Sequence, residues 1–590
     1  MNKKSNKIIA PLTIQFFVDP LLRYLRRIKF FSMTGTLFIS LLLDFSIWFP
    51  FFCKVSALIL QAGILGKLLF EEKYLHVRFR RLSWKKRLIP IVLFGVGLLF
   101  YIEKILILYA MWGAPSSMMI TPYRLYSVIF IIASFFIYAL RINMIARFIS
   151  RLHLRPAQTL SLGFLALIIL GTLLLSLPQM VIHPDEISIL DAFFTATSAS
   201  TVTGLVLFPI TDYYRPTGLA VILFLIQLGG LGIMTFGVLF SLLSRQRMRL
   251  NDAVALQGVL ETESLGSIRK DIQLIFVMTL TIESIGAFFL WFFLPREVKE
   301  PVFFAIFHAI SAFCNAGFAL FQTNLEGYAG NFPVNLTIAV LIFLGGIGFP
   351  VLNNLGNYPL FRKERASWRL TFHSRMVLSI SAGLLLFGTV GIYVLEFRGV
   401  LAPLSWHEKW LAAFFQSVTA RTAGFNTLNF SELSDAALFL FILLMWIGGS
   451  PASTAGGIKT TTFGVMLATL SAMLKQREEV SLFKRSLSSL AIQKSLAIAF
   501  TSSALLAFLL LLLLATEDGG FKALMFESVS AFNTVGLSTG MTSQLSSFGK
   551  IIIILTMFVG RIGPLTLAFS LAERTSKGKY AYPQERVIIG

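Results

Sequence analysis

Long apolar runs alternate along the chain with short polar connectors, and these runs dominate its pattern. Stretches such as "LGFLALIILGTLLLSL" and "LLAFLLLLLLA" carry no charge and lack the every-second-residue alternation of a barrel strand. About 20 such residues cross ~30 Å of hydrocarbon as a helix with every backbone hydrogen bond made internally. The pattern therefore predicts an all-α polytopic membrane protein.

From Pro156 onward the pattern recurs at a spacing of roughly 110 residues, an internal repeat that outranks local propensity. Each unit has a span, a short apolar segment, a small-residue stretch with Gly, and a second span with its own glycines. First spans are expected near Thr159–Leu177, Ile272–Leu294, Met376–Leu395 and Leu496–Ala515. Second spans are expected near Leu219–Phe240, Leu336–Leu355, Ala437–Leu467 and Ile551–Leu571. The repeats fall at 151–250, 251–363, 364–480 and 481–590, after an N-terminal extension at 1–150 with about four further spans. Its first hairpin is the weakest, because Asp44, Lys54 and Lys67 lie in or near it and intramembrane charge is costly.

Composition agrees with this reading. The 590 residues are 56% hydrophobic and 14% charged, more apolar than a soluble core can use. The net charge of +22 does not call for nucleic acid. Basic connectors such as "SRQRMRLND", "FRKERASWRLTFHSRM" and "KQREEVSLFKRS" alternate with acidic "HPDEISILD" and "TEDGG", the charge asymmetry of a chain with basic loops and both termini in the cytosol. Cys53 and Cys314 sit in or beside apolar segments, so no disulfide framework is expected. There is no metal-spaced His/Cys/Asp cluster, no Walker-type loop and no cofactor motif, so the chain does not read as an enzyme.

Four small-residue stretches carry the chemistry: "SASTVTGL", "SAFCNAGF", "TARTAGF" and "SAFNTVGL", the third one residue shorter. Each follows a segment able to form a helix about halfway across a bilayer: "ILDAFFTAT", "VFFAIFHAI", "KWLAAFFQSV" and "FKALMFESV". Non-helical backbone at membrane depth is tolerated only where it is buried in protein or lines a water-filled path. Gly204, Gly317, Gly424 and Gly536 permit positive φ and close approach to an axis. Four such loops around a central pore would offer carbonyl oxygens in place of a monovalent cation's water shell, with negative helix C-termini aimed at the same place. The expected filter residues are Thr201, Val202, Thr203 and Gly204, Cys314, Asn315, Ala316 and Gly317, Thr422, Ala423 and Gly424, and Asn533, Thr534, Val535 and Gly536. The bland alternative is helix packing through small residues.

A second feature lies in unit three, where "IGGSPASTAGGIKTTT" interrupts a span. Pro451 and the pairs Gly448–Gly449 and Gly456–Gly457 break helical bonding, giving either an irregular loop below the filter or a plain kink. Lys459 there either pairs with a carboxylate or repels ions. Arg561 in "VGRIGPLT" occupies the place of Gly230 and Gly346 in other second spans, and a cation at that depth is a functional candidate. It is expected to project into the inner half of the pore, the alternative being an Arg satisfied by helix-end carbonyls. Glu283 and His308 read as paired or packed residues rather than ligands.

"TARTAGFNT", "GGSPASTAGGIKTTT", "VGRIGPLT" and the C-terminal "YPQERVIIG" resemble the K+ transporter superfamily of bacterial Trk and Ktr membrane subunits and plant HKT transporters, over approximately Arg155–Gly590. The resemblance implies four span–pore-helix–filter-loop–span repeats around a central pore in the cell membrane, with K+ held by filter backbone as the transported ion. It also implies a gating loop at Gly448, Gly449, Gly456, Gly457 and Lys459 acting with Arg561, a homodimer in the lipid bilayer, and a cytosolic nucleotide-binding ring as regulatory partner. In that family a Ser at the first filter glycine accompanies Na+ preference, so Gly204 favours K+. The rival expectations are a Na+-selective or Na+/K+-coupled transporter of the same fold and, further off, an alternating-access symporter.

Overall fold

A computed structural model describes residues 156–183, 188–244, 268–295, 298, 300–356, 370–563 and 566. The expected N-terminal spans, the C-terminus, the end of the last expected span and most of the first two basic connectors lie outside the described residues. The chain divides into two compact units, Met1–Phe148 and Ile149–Gly590, and the described residues all belong to the second.

Apolar runs become helices wherever proline or a capping side chain allows a start. The first unit comprises α1 (Pro156–Leu175), α2 (Ile189–Thr201) and α3 (Pro216–Ser244). The second comprises α4 (Ile268–Phe293), α5 (Pro301–Phe313), α6 (Phe332–Gly346) and α7 (Phe349–Gly356). The third comprises α8 (Phe372–Glu396), α9 (Trp406–Thr419), α10 (Asp435–Trp446) and α11 (Thr460–Leu474). A hairpin, β1 (Ser481–Leu482) with β2 (Arg485–Ser486), leads to α12 (Ser489–Thr516), α13 (Phe521–Phe532) and α14 (Ser547–Ile562). Ser188, Asn331, Thr371, Ser434, Ser488 and Ser546 cap their helices by accepting a backbone N–H in the first turn. Among the described residues, Leu274–Phe293, Phe372–Glu396 and Ser489–Thr516 are long and apolar enough to cross a membrane.

The second span expected through Leu336–Leu355 is not one helix. α6 and α7 meet at 104° across Ile347 and Gly348, and Gly348 takes φ +89. Phe349 N, freed by the bend, donates to Ala452 O of the unit-three interruption at 3.0 Å. In the last expected span α14 runs to Ile562 and is capped by Gly563 at φ +88; most of the span beyond it lies outside the described residues.

Among the described residues of the second compact unit, helix packing runs from each repeat to the next and closes on itself. α3 packs on α5, α6 on α9, α10 on α13, and α14 returns to α2, so each second span lies against the short helix of the next unit. Lys550 of α14 and Asp191 of α2 make an ion pair at 2.7 Å across the closing joint. The solvent logic is that of a bilayer. Phe276, Phe292, Leu386 and Phe500 are exposed, whereas Ser198, Ser311, Thr419 and Ser530 are fully buried.

Candidate functional site

The short helices α2, α5, α9 and α13 each carry a completely buried phenylalanine at the equivalent place: Phe194, Phe307, Phe415 and Phe526. Interior packing at such a ring is close to crystal density, so each fixes its helix against both translation and rotation. All four helices end at the small-residue stretches, and the backbone then alternates in hand. Val202 (φ 57) and Gly204 (φ 90), Asn315 (58) and Gly317 (70), Thr422 (69) and Gly424 (81), and Thr534 (50) and Gly536 (93) are left-handed. Between them lie Thr203, Ala316, Ala423 and Val535, none of which has positive φ. Left-handed Val and Thr are costly, roughly 1–3 kcal/mol each, and persist only where surroundings over-determine them.

Part of that determination is visible in hydrogen bonds. Thr203 N, Ala316 N and Val535 N donate back to Ser198 O, Ser311 O and Ser530 O at 2.8, 2.7 and 2.8 Å, closing five-residue loops. The shorter third stretch closes one residue tighter, Ala423 N donating to Thr419 O at 3.0 Å. The serines add a second tie. Ser198 Oγ and Ser530 Oγ accept from Gly204 N and Gly536 N, each at 3.1 Å, and Ser311 Oγ donates to Phe318 O at 2.8 Å.

The four glycines form a closed circuit. A Cβ on Gly204 would strike Ala316 O, on Gly317 Ala423 O (2.7 Å), on Gly424 Val535 O (2.5 Å), and on Gly536 Thr203 O. A Cβ on Gly424 would also come within 3.1 and 3.2 Å of Gly317 Cα and Gly536 Cα. Four glycine-bearing loops thus abut one another in turn, at the C-terminal ends of four short helices. Thr201 is the last helical residue of α2, its hydroxyl donating to Thr197 O, and Cys314 and Asn533 cap α5 and α13.

A set of residues that the sequence reading leaves out of the site stands immediately after three of the anchor phenylalanines. His308 Nε2 accepts from Leu320 N at 3.3 Å while its Nδ1–H donates to Phe304 O at 2.8 Å, which assigns the neutral Nδ1–H tautomer. Gln416 hydrogen-bonds Thr427 Oγ1 at 3.2 Å. Glu527 accepts from Ser538 Oγ (2.5 Å), Thr539 N (3.0 Å) and Thr542 Oγ1 (2.6 Å). Each clamps the strand leaving its glycine loop, two or more residues beyond the glycine. In unit one the place is Thr195, whose hydroxyl returns to Asp191 O. The available signal is a Phe–polar pair repeated as "FFTAT", "IFHAI", "FFQSV" and "MFESV", but the polar residue differs every time.

Outside the ring, units two and three are tied through Asn426, which donates to Glu326 Oε1 at 2.8 Å and whose O accepts from Leu325 N at 3.0 Å. Partial burial raises the Glu326 pKa above its ordinary value, with the Asn426 hydrogen bond pulling the other way.

The unit-three interruption is an irregular loop rather than a kinked helix. It runs from Ile447 to Lys459 between α10 and α11, its ends joined by a parallel bridge from Ile447 to Ile458. Ser450 N donates to Gly346 O at 2.9 Å, and Thr454 Oγ1 to Phe313 O at 3.1 Å, so the loop seats against α5 and α6. Gly448 and Gly449 lie at its entry, and Gly456 and Gly457 lie against Thr534 and Asn533 of the fourth glycine loop. Lys459 donates to Ala455 O at 2.9 Å. The buried Arg561 guanidinium donates through Nη1 to Thr454 O and through Nη2 to Gly229 O, the latter at 2.7 Å. It therefore binds backbone carbonyls of the loop and of α3 together. Glu283 accepts from Gln227 Nε2 at 3.3 Å and from Cys314 Sγ at 3.9 Å, behind the second glycine loop.

Known proteins share this architecture. Residues 129–580 match the family model described as TrkH, cation transport protein. The Ktr system potassium uptake protein B of Bacillus subtilis is 39% identical over 439 residues, covering 74% of this chain and 97% of that protein. The potassium/sodium uptake protein NtpJ of Enterococcus hirae is 35% identical over 449 residues, covering 75% and 98%. The crystal structure of the potassium transporter TrkH from Vibrio parahaemolyticus superposes with a TM-score of 0.57 over 82% of this chain and 98% of that one, at 20% identity, a likeness of fold. The chain belongs to the TrkH cation transport family.

Proposed function

We propose that this membrane protein takes up K+ through the opening between its four filter loops. The observation that carries the reading is the circuit of Gly204, Gly317, Gly424 and Gly536, each abutting a carbonyl oxygen of the next unit. Alternating left-handed residues present successive carbonyls to one side, the arrangement that substitutes for a cation's hydration shell. The 151–250, 251–363, 364–480 and 481–590 units then act as pore repeats. The membrane potential supplies ~2.3 kcal/mol per charge per 100 mV, so no chemical energy source is needed.

Below the filter, the Ile447–Lys459 loop is the gate, and Arg561 latches it by holding Thr454 O to Gly229 O. Opening requires the loop to leave Arg561, and a cytosolic partner that pulls on α11 would bias it; the homodimer and the nucleotide-binding ring are assigned on the same footing. A Na+-passing version has one specific support, the potassium/sodium name of the E. hirae relative. Gly204 in the first loop favours K+. The test is uptake by proteoliposomes under an imposed potential. K+ and Rb+ should enter and Na+ should be excluded; equal entry of Na+ would sink the K+ assignment.

A further inference from the structure

Between α8 and α11 a groove of about 440 Å³ opens, lined by Ile380, Gly383, Phe463, Leu467 and Leu482 and ended by Phe483. A Cβ on Gly383 would meet nothing within 4 Å, so a side chain placed there has open space to enter. Its floor is apolar, and its rim is basic. Arg477 lines it, and Arg375 lies over the Phe483 ring at 5.8 Å. Among the described residues neither arginine is in an ion pair; Glu478 and Glu479 beside Arg477 are exposed and pair with neither.

The hairpin is built to place that rim. Phe483 and Lys484 form a two-residue turn with both φ positive (49 and 62), between the pairs Ser481–Ser486 and Leu482–Arg485. Such a turn favours Asn and Gly, so a left-handed Phe there is costly and is kept by its contacts with Arg375 and Phe372. An apolar slot at the end of two spans, lined by the Arg477 guanidinium and ended by Phe483 beneath Arg375, with neither arginine in an ion pair among the described residues, is complementary to one class of molecule: an amphiphile with a hydrocarbon chain and an anionic head.

We infer that this groove holds an anionic phospholipid of the cytosolic leaflet, its acyl chain along Ile380, Gly383 and Leu467 and its phosphate between Arg375 and Arg477. α11 is the helix that starts directly after the Ile447–Lys459 loop. A chain wedged between α8 and α11 therefore holds the loop's exit helix in position, and anionic lipid favours one gate position. That consequence rests on the gate reading above; occupancy of the groove does not.

The experiment is lipid retention by the full-length protein, read by native mass spectrometry after delipidation and exposure to phosphatidylglycerol or phosphatidylcholine. Phosphatidylglycerol should be retained and phosphatidylcholine not. Arg477→Ala should weaken retention about fivefold, the worth of one basic group at an anionic surface, and Gly383→Leu, which fills the slot and suits a helix, should abolish it. Equal retention of both lipids, or retention untouched by Gly383→Leu, overturns the inference. So does cross-linking of Leu467→Cys to a second copy, which would make the groove a subunit interface. Flux is read separately: with K+ selectivity intact, phosphatidylglycerol should change the rate in wild type and not in Gly383→Leu.

Discussion

Lys550 on the last helix and Asp191 on the first short helix form an ion pair at 2.7 Å, 359 positions apart. Both side chains are largely buried, at 21% and 14% exposure, so removal of one strands the other in a poor solvent. Lys550→Met should cost about 1–3 kcal/mol and lower the thermal midpoint in detergent. The reversal Asp191→Lys with Lys550→Asp should recover part of it. No loss in the single variant would show that helix packing alone closes the circuit.

Glu527 accepts from two hydroxyls and one backbone N–H. Glu527→Gln puts an NH2 group where one oxygen accepted, so one of these bonds is either remade with a hydroxyl turned to accept or lost, at about 1–3 kcal/mol. The strand beyond Gly536 should loosen, and K+ over Na+ discrimination should fall several-fold with little change in expression. Thr542→Val, which removes one of these bonds, should have the smaller effect in the same direction.

Arg561 joins Thr454 O to Gly229 O. Arg561→Ala frees the loop from α3 and should raise basal K+ flux in the absence of any regulatory partner. Arg561→Lys keeps the charge but not the planar fork that reaches two carbonyls, and should give an intermediate rate. Unchanged flux in both would remove the latch from the mechanism.

Glu326 predicts a pH effect with a definite sign. Its folded pKa is raised above the ordinary carboxylate value, so the fold disfavours the ionised form. The stability cost is absent well below the ordinary value and is complete once pH exceeds the raised one. Glu326→Gln keeps the acceptor for Asn426 and should melt higher than wild type at neutral pH. The difference should vanish on acidification; a difference constant with pH would contradict the assignment.

What is legible in the sequence is what local chemistry fixes. A glycine required at positive φ after a short apolar helix recurs four times, and Gly204, Gly317, Gly424 and Gly536 can be read from that alone. The bend at Gly348 is only half legible: Gly345, Gly346, Gly348 and Pro350 weaken helical bonding there, but its angle belongs to tertiary structure, where Ala452 O of the third unit accepts from Phe349 N. The clamps are hidden for another reason. His308, Gln416 and Glu527 share a position and a task but no chemistry, since any side chain that can meet the returning strand will serve. Arg561 is visible as an odd cation, whereas its partners, 107 and 332 residues away, belong to tertiary structure.

Discrimination among cations by the glycine circuit is open to test by two serine substitutions. Gly204 (φ 90) abuts Ala316 O, whereas Gly540 (φ 92) has open space around it and stands outside the circuit. Backbone strain is therefore common to Gly204→Ser and Gly540→Ser, and obstruction of the opening is not. In proteoliposomes Gly204→Ser should lose at least about tenfold in K+/Na+ preference, equivalent to about 1.4 kcal/mol, with Gly540→Ser close to wild type. Wild-type preference and rate in Gly204→Ser would contradict it.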